Sequence, residues 1–307
     1  MKTSTLDIKN ILTEIDACRL CGSKDLHDVL DLGAQPPANS LRKDINEALP
    51  VAPLKLVHCA HCMVVQLTAT VDPAYLFSQY IWVTATSATA RSYSKLYCAE
   101  VLKRSPVESP FVIEIASNDG TFLQKFKDRG CPVLGVDPAV NIATQATQNG
   151  ISTWAEFFDI TIAKKILVEN TQPNIVMARN VIPHVKEIHS IVEGLSALIN
   201  DDGVVVIEFH YAKTIVDELH YDSIYHEHLF YFSIKSICAL FAKYGLKPFD
   251  IFSSKACCFS ATRAALFASS SCLPLGIELP KLRLEKSRLA KPTANAFSTP
   301  SGGGNIA

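Results

Sequence analysis

The sequence predicts an α/β protein in which a small metal-stapled module precedes a doubly wound, mostly parallel sheet. Two observations carry that expectation. From Phe111 onward, apolar runs alternate with amphipathic stretches of about ten residues, the rhythm of βα units whose strands are covered on both faces. Before that point, two CxxC pairs bracket short strand-like runs broken by turn signals such as DLGAQPPAN.

The elements follow in order. FVIEIA (111–116), CPVLGVDP (131–138), ISTWAEFF, NIVMARNV (174–181), GVVVIEFH (203–210) and LKPFDIF read as strands. Between them TFLQKF, NIATQATQNG, TIAKKILVEN, IHSIVEGLSALIN and SIKSICALFAKYG read as helices, the last closed by Gly245. Upstream, Tyr93, Leu96, Tyr97 and Val101 fall at spacings of three and four and give one helix an apolar face. The expected organisation is a metal module over 1–75, then an aromatic segment, helix and linker over 76–110. An α/β domain follows over 111–252, and a serine-rich, poorly ordered tail over 253–307. There is no internal repeat.

Apolar types make up 48% of the 307 residues and charged types 19%, which suits a globular chain. Twenty-nine basic against thirty acidic residues leave a net charge of −1, which argues against nucleic acid or an anionic membrane surface as a partner. No apolar run is long enough to span a membrane, and the N-terminus lacks a secretion-type apolar core. A cytoplasmic location is expected.

With no secretion signal among ten cysteines, a metal site is favoured over a disulfide framework. Cys18, Cys21, Cys59 and Cys62 can supply four thiolates to a tetrahedral Zn²⁺. With all four positions filled by protein, the metal would be structural. It is expected to fold residues 18–75 and to leave the ligand-binding chemistry of 114–137 largely untouched.

Glu114-Ile-Ala116-Ser-Asn118-Asp119-Gly120 joins a strand to a helix, and Asp137 closes the next strand seventeen residues later. Such a turn brings backbone amides to a ligand, and an acid at that position suits a ribose. On spacing alone, NAD and S-adenosylmethionine (SAM) both fit. The lack of a full GxGxxG weakens NAD. Tyr225-His-Glu227-His228 concentrates groups suited to proton transfer, and His184 follows the fourth strand on the ligand side of the sheet.

EIASNDGTFL, GVDPAVNIA, ARNVIPHV, DDGVVVIEFHY and YDSIYHEHLFYFS, in that order behind the double CxxC, resemble the SAM-dependent sugar C-methyltransferases, which methylate C-3 of 4-keto-deoxysugar nucleotides. The resemblance covers about residues 18–252. It implies a zinc-binding N-terminal domain, a Rossmann-like class I methyltransferase domain and a sugar-nucleotide substrate. His228 then matches the base. Tyr225, Glu227 and His184 match its active-site neighbours, and Tyr80 matches a substrate-side hydroxyl. Glu114, Ala116, Asn118, Asp119, Gly120, Asp137 and Asn180 match the SAM site. The chain departs from the family pattern at Ala116, where glycine is usual, and after LKPFDIF, where a further C-terminal domain is expected. A frameshift or truncation there is the expected reason. O- or N-methylation of a small molecule, and SAM binding without catalysis, remain the alternatives.

Overall fold

The computed structural model describes residues 11–40, 44, 46, 47, 49–77, 80–254 and 263–269. The chain divides into two units, Met1–Leu273 and Pro274–Ala307. Every described residue lies in the first.

The N-terminal strands are β1 (Leu12–Glu14), β2 (Leu26–Gln35), β3 (Ala52–Cys59), β4 (Val65–Leu67) and β5 (Ala69–Val71). Two helices follow, a single-turn α1 (Pro73–Phe77) and α2 (Ala88–Leu102). Ser87 caps α2 by accepting a hydrogen bond from the Ala90 amide, which satisfies one of the helix's free N–H groups.

The α/β part runs β6 (Val112–Ile115), α3 (Leu123–Lys127), β7 (Val133–Val136), α4 (Val140–Gln148), β8 (Thr153–Trp154), α5 (Ile160–Glu169), β9 (Ile175–Arg179), α6 (Ile188–Leu198) and β10 (Val204–His210). It continues with α7 (Ala212–Asp217), β11 (Phe230–Tyr231), α8 (Ile234–Ala242), β12 (Lys247–Ser254) and β13 (Arg263–Ser269). Seven strands form one sheet in the order β12-β13-β10-β9-β6-β7-β8. The chain moves outward from β6 to β8 and restarts at β9 on the other side of β6. The switch in strand order therefore lies between β6 and β9, and ligands bind such sheets in the crevice beyond those carboxyl ends.

Both faces of the sheet are buried, which is why its strands read as continuous apolar runs. Val112, Ile175, Met177, Val204 and Val206 pack with Tyr93, Tyr97 and Phe126 on one face. Their alternates Ile113, Val176, Ala178, Val205, Ile207 and Phe209 pack with Ile166, Ile191, Leu195 and Phe241 on the other.

Two expectations change. The tail is ordered over β13, which lies antiparallel between β10 and β12 and completes the sheet. Residues 255–262 and 270–307 lie outside the described residues. The strand expected in ISTWAEFF shrinks to Thr153 and Trp154, an edge position where only one neighbour is available to pair. The short strand β11, which the sequence pattern does not signal, lies outside the large sheet. It pairs with β4 in the four-stranded order β11-β4-β3-β2, so a strand from the second half of the chain belongs to the sheet of the N-terminal module.

Gly135 in β7 is a close-packing point, since a Cβ there would lie 2.4 Å from Ser117 Oγ and 2.7 Å from Thr153 Oγ1. Gly135→Ala is expected to cost about 1–3 kcal/mol by overpacking, measurable as a lower urea midpoint with unchanged slope.

Candidate active site and metal centre

The two CxxC turns are built alike. Gly22 N donates to Cys18 O at 2.8 Å, and Met63 N to Cys59 O at 2.9 Å. Both residues take positive φ, 73° for Gly22 and 62° for Met63, and so turn each second cysteine back toward the first. The four sulfurs lie within 4.8 Å of one another, with Cys18–Cys62 and Cys21–Cys59 each at 3.6 Å. A zinc tetrahedron with bonds of about 2.3 Å has sulfur–sulfur edges of about 3.8 Å. The residues fit that ion.

This centre is tied into the rest of the molecule. Arg19 donates from its guanidinium to Leu67 O at 2.5 Å and Thr70 Oγ1 at 2.6 Å, and Lys243 Nζ donates to Leu20 O at 2.7 Å. On β4, immediately behind the second knuckle, Leu67 N donates to Leu229 O at 3.0 Å. His226 Nε2 donates to Ala52 O on β3 at 3.1 Å.

The turn after β6 holds three residues at positive φ, Ala116 (50°), Asn118 (52°) and Gly120 (76°). Asp137 braces it. Its carboxylate accepts from Asn118 N at 2.8 Å and from Ala139 N at 2.9 Å, and burial pushes it above the usual aspartate value. The side chains of Asn118 and Asp119 are spent on a segment of the interdomain strap. Asn118 Oδ1 accepts from Thr84 N at 2.8 Å, and Asp119 Oδ2 from Ala85 N at 2.9 Å. Asn141 holds the same strap at the Tyr80 carbonyl, 3.0 Å away.

Glu114 departs from its expected place on the cofactor surface. It is wholly buried, ion-paired to Arg179 at 2.8 Å, and burial lifts its carboxyl to about 7 despite that cation. The Arg179 guanidinium lies 3.1 Å from the Phe122 ring centroid, and the nearby Glu208 accepts from Tyr93 Oη at 2.9 Å. Glu114 therefore acts on the loop from beneath. Asn180, at φ 53°, leaves its buried Oδ1 without a hydrogen-bond partner among the described residues. An acceptor in that position at the strand-switch crevice suits an ammonium group, so the loop and Asn180 fit an amino-acid-bearing nucleoside.

The YHEH block gathers at the same end of the sheet. His228 is 4% exposed, with Nδ1 2.8 Å from Ser223 O and Nε2 2.9 Å from Tyr225 Oη. A carbonyl only accepts, so Nδ1 carries the hydrogen and the Nε2 lone pair meets the tyrosine hydroxyl. The His184 ring stands edge-on to His228, their centroids 4.7 Å apart. Burial, reinforced by His228 and His210, pushes His184 well below the ordinary histidine value, so it is neutral at physiological pH. Glu227 is 2% exposed and accepts from Asn39 Nδ2 at 2.5 Å. Tyr80 is pushed up to about 12 by burial, then by Glu227 and Asp137.

The structure thus brings His184, Tyr225, Glu227 and His228 together, with Tyr80 close to Glu227. Two participants were missed from sequence. His210 ends β10 with its ring centroid 5.2 Å from that of His228. The rule that singled out His184, a position at a strand's carboxyl end, would have found it. Asn39 comes from 188 residues away, and no local pattern signals it.

Residues 18–77 match a family model described as "Putative zinc binding domain", and residues 89–250 match one described as "Methyltransferase domain". The curated C-methyltransferase NovU of Streptomyces niveus is 32% identical over 247 residues, covering 80% of this chain and 59% of that protein. The chain thus spans less than two thirds of that relative's length. Among solved structures, a Synechocystis magnesium protoporphyrin IX methyltransferase with bound SAH aligns at TM-score 0.45 and 12% identity, over 59% of this chain and 83% of that one. A Pyrococcus horikoshii protein aligns at TM-score 0.48 and 14% identity, over 64% and 95%.

The second cysteine knuckle and the YHEH block flank the same four-stranded sheet, so loss of the metal is expected to reach that block as well as the N-terminal module. Cys59→Ser is expected to lose the metal, read by elemental analysis, and to raise amide hydrogen exchange over 223–231 at least tenfold. Amides of 112–137 should change far less. Equal protection over 223–231 in the metal-free variant would show that β4 holds β11 without the ion.

Proposed function

We propose that this chain, which belongs to the methyltransferase-domain family, transfers a methyl group from SAM to C-3 of a 4-keto-deoxysugar nucleotide. The observation that carries the reading is the fixed orientation of His228. Its Nδ1–H is anchored on the Ser223 carbonyl, so Nε2 is the basic atom. That arrangement suits deprotonation of a carbon acid, which methylation of an oxygen or nitrogen does not require. The likeness to a C-methyltransferase supports the same choice.

SAM, when bound, supplies an electrophilic methyl group. Asn180 and the backbone of 116–120 would hold it, with Asp137 bracing the loop. The residues of the chain then do the proton chemistry. The ketone at C-4 acidifies the C-3 proton, and His228 Nε2 takes it once the half-buried Tyr225 hydroxyl turns its hydrogen away and frees the lone pair. The resulting imidazolium is stabilised by the hydrogen bond that Nδ1–H already makes, because a charged donor strengthens it. Tyr80 stays protonated at neutral pH and can donate to the developing enolate oxygen. His184, held neutral, adds no positive charge beside the base. The four thiolates fill a zinc shell, so the ion there takes no part in the chemistry.

His228→Ala is expected to lower methyl transfer to a 4-keto-6-deoxy nucleotide sugar by about 10²–10⁴-fold while SAM affinity stays within about twofold. The product is read by mass spectrometry and the affinity by calorimetry. In D₂O without SAM, the wild type should place deuterium at C-3 and the variant should not. Retained turnover in the variant would reject the role of His228. A wild-type chain that binds SAM and never exchanges C-3 would favour an O- or N-acceptor or a binding role.

A further inference from the structure

We infer that Asn39, reaching from the N-terminal module, is a positioning residue for Glu227 in the transfer reaction. The inference rests on the C-methylation proposed above. Asn39 sits within the turn closed by Ser40 N donating to Pro37 O at 3.0 Å. Pro37 is buried and Asn39 exposed, so the proline anchors the turn and presents the amide. Asn39 Nδ2 then donates to Glu227 Oε1 at 2.5 Å.

The other groups around Glu227 are engaged elsewhere or offer it no cation. His226 turns its Nε2 to Ala52 O, and His228 turns its ring to Ser223 and Tyr225. His184 bonds the Glu227 backbone carbonyl and is itself held neutral. Tyr80 stays a protonated phenol, its ionisation disfavoured by burial and by the Glu227 charge. Burial pushes the Glu227 carboxyl up, and the Asn39 amide pulls it back toward the charged form. An amide cannot titrate, so this support is constant with pH, which a lysine or histidine partner would not give. Asn39 fixes the direction and the charge of Glu227. Glu227 in turn favours the protonated phenol of Tyr80, the donor assigned to the enolate oxygen.

The test uses the full chain with Asn39→Ala and Asn39→Asp, both at an exposed position that should leave folding intact. The Glu227 carboxyl is followed by carbon NMR of ¹³C-glutamate protein and assigned by its disappearance in Glu227→Gln. Asn39→Ala should raise its titration midpoint by roughly one unit, the scale of a lost charge-stabilising hydrogen bond. The acid limb of kcat against pH should shift upward equally, with kcat at pH 7 a few-fold lower and recovering as pH rises. SAM affinity should not change. Asn39→Asp should shift both further, because two adjacent carboxylates must share a proton. A titration and acid limb unmoved in both variants would overturn the inference while C-methylation stands. A wild type with no C-3 exchange or transfer would overturn the reaction and, with it, the catalytic role of Asn39, even if the carboxyl still shifted.

Discussion

The short antiparallel join between β4 and β11 is the interaction on which the rest of the site depends. It is only two residues long, Phe230 opposite Gln66 and Tyr231 opposite Val65. It is nevertheless flanked by the metal knuckle on one side and by the YHEH block on the other. Hydrogen bonds from Leu67 to Leu229 and from His226 to Ala52 extend the contact. A two-stranded pairing of this length has little stability of its own. It persists because the four cysteines fix one strand and the packed Phe209, Phe230 and Phe232 rings fix the other. The YHEH residues are therefore held in part by a surface that lies outside the large sheet.

A second constraint lies beneath the cofactor loop. Glu114 and Glu208 flank a single Arg179 in the core, where two carboxylates and one cation cannot all be satisfied equally. Burial lifts the Glu114 carboxyl to about 7 against the pull of Arg179, and Glu208 adds a smaller push in the same direction. Buried ion pairs of this kind are poor sources of stability, because desolvation offsets the Coulomb attraction. Their effect here is geometric: three neighbouring strands, β6, β9 and β10, are tied together just below the loops that carry Asn118 and Asn180 and the strand end that carries His210. The positive φ of Ala116, Asn118 and Asn180 is strain of the sort that collects at ligand sites, and this network holds it in place.

Much of this was legible in the sequence, for identifiable reasons. The large sheet was readable because each strand is buried on both faces, which leaves an apolar run, and each crossover leaves an amphipathic one. The knuckles were readable because metal ligation needs close pairs in sequence. The YHEH block and His184 were readable because local clusters and strand ends are visible along the chain. What escaped depends on contacts between distant segments. Asn39 is an unremarkable turn residue until Glu227 is beside it. Glu114 looks like a ligand-loop residue until Arg179 appears beneath it. The tail of serines and alanines has little strand character of its own. Arg263–Ser269 becomes a strand because β10 and β12 each offer it a ladder of backbone groups, which no periodicity records.

The place of β13 has a consequence for how the molecule assembles at the ribosome. β10 is an apolar, central strand, and its second neighbour is the last strand of the sheet to be synthesised. Until residues 263–269 emerge, one side of β10 carries open backbone donors and acceptors beside Val205, Ile207 and Phe209, and β12 has no partner either. An unpaired apolar edge is a template for association with other chains. The nascent protein is thus most vulnerable to aggregation over the interval between the synthesis of β10 and that of β13, some fifty residues of translation. A slow passage of the ribosome through that interval would prolong the exposure, and a chaperone that shields strand edges would act there.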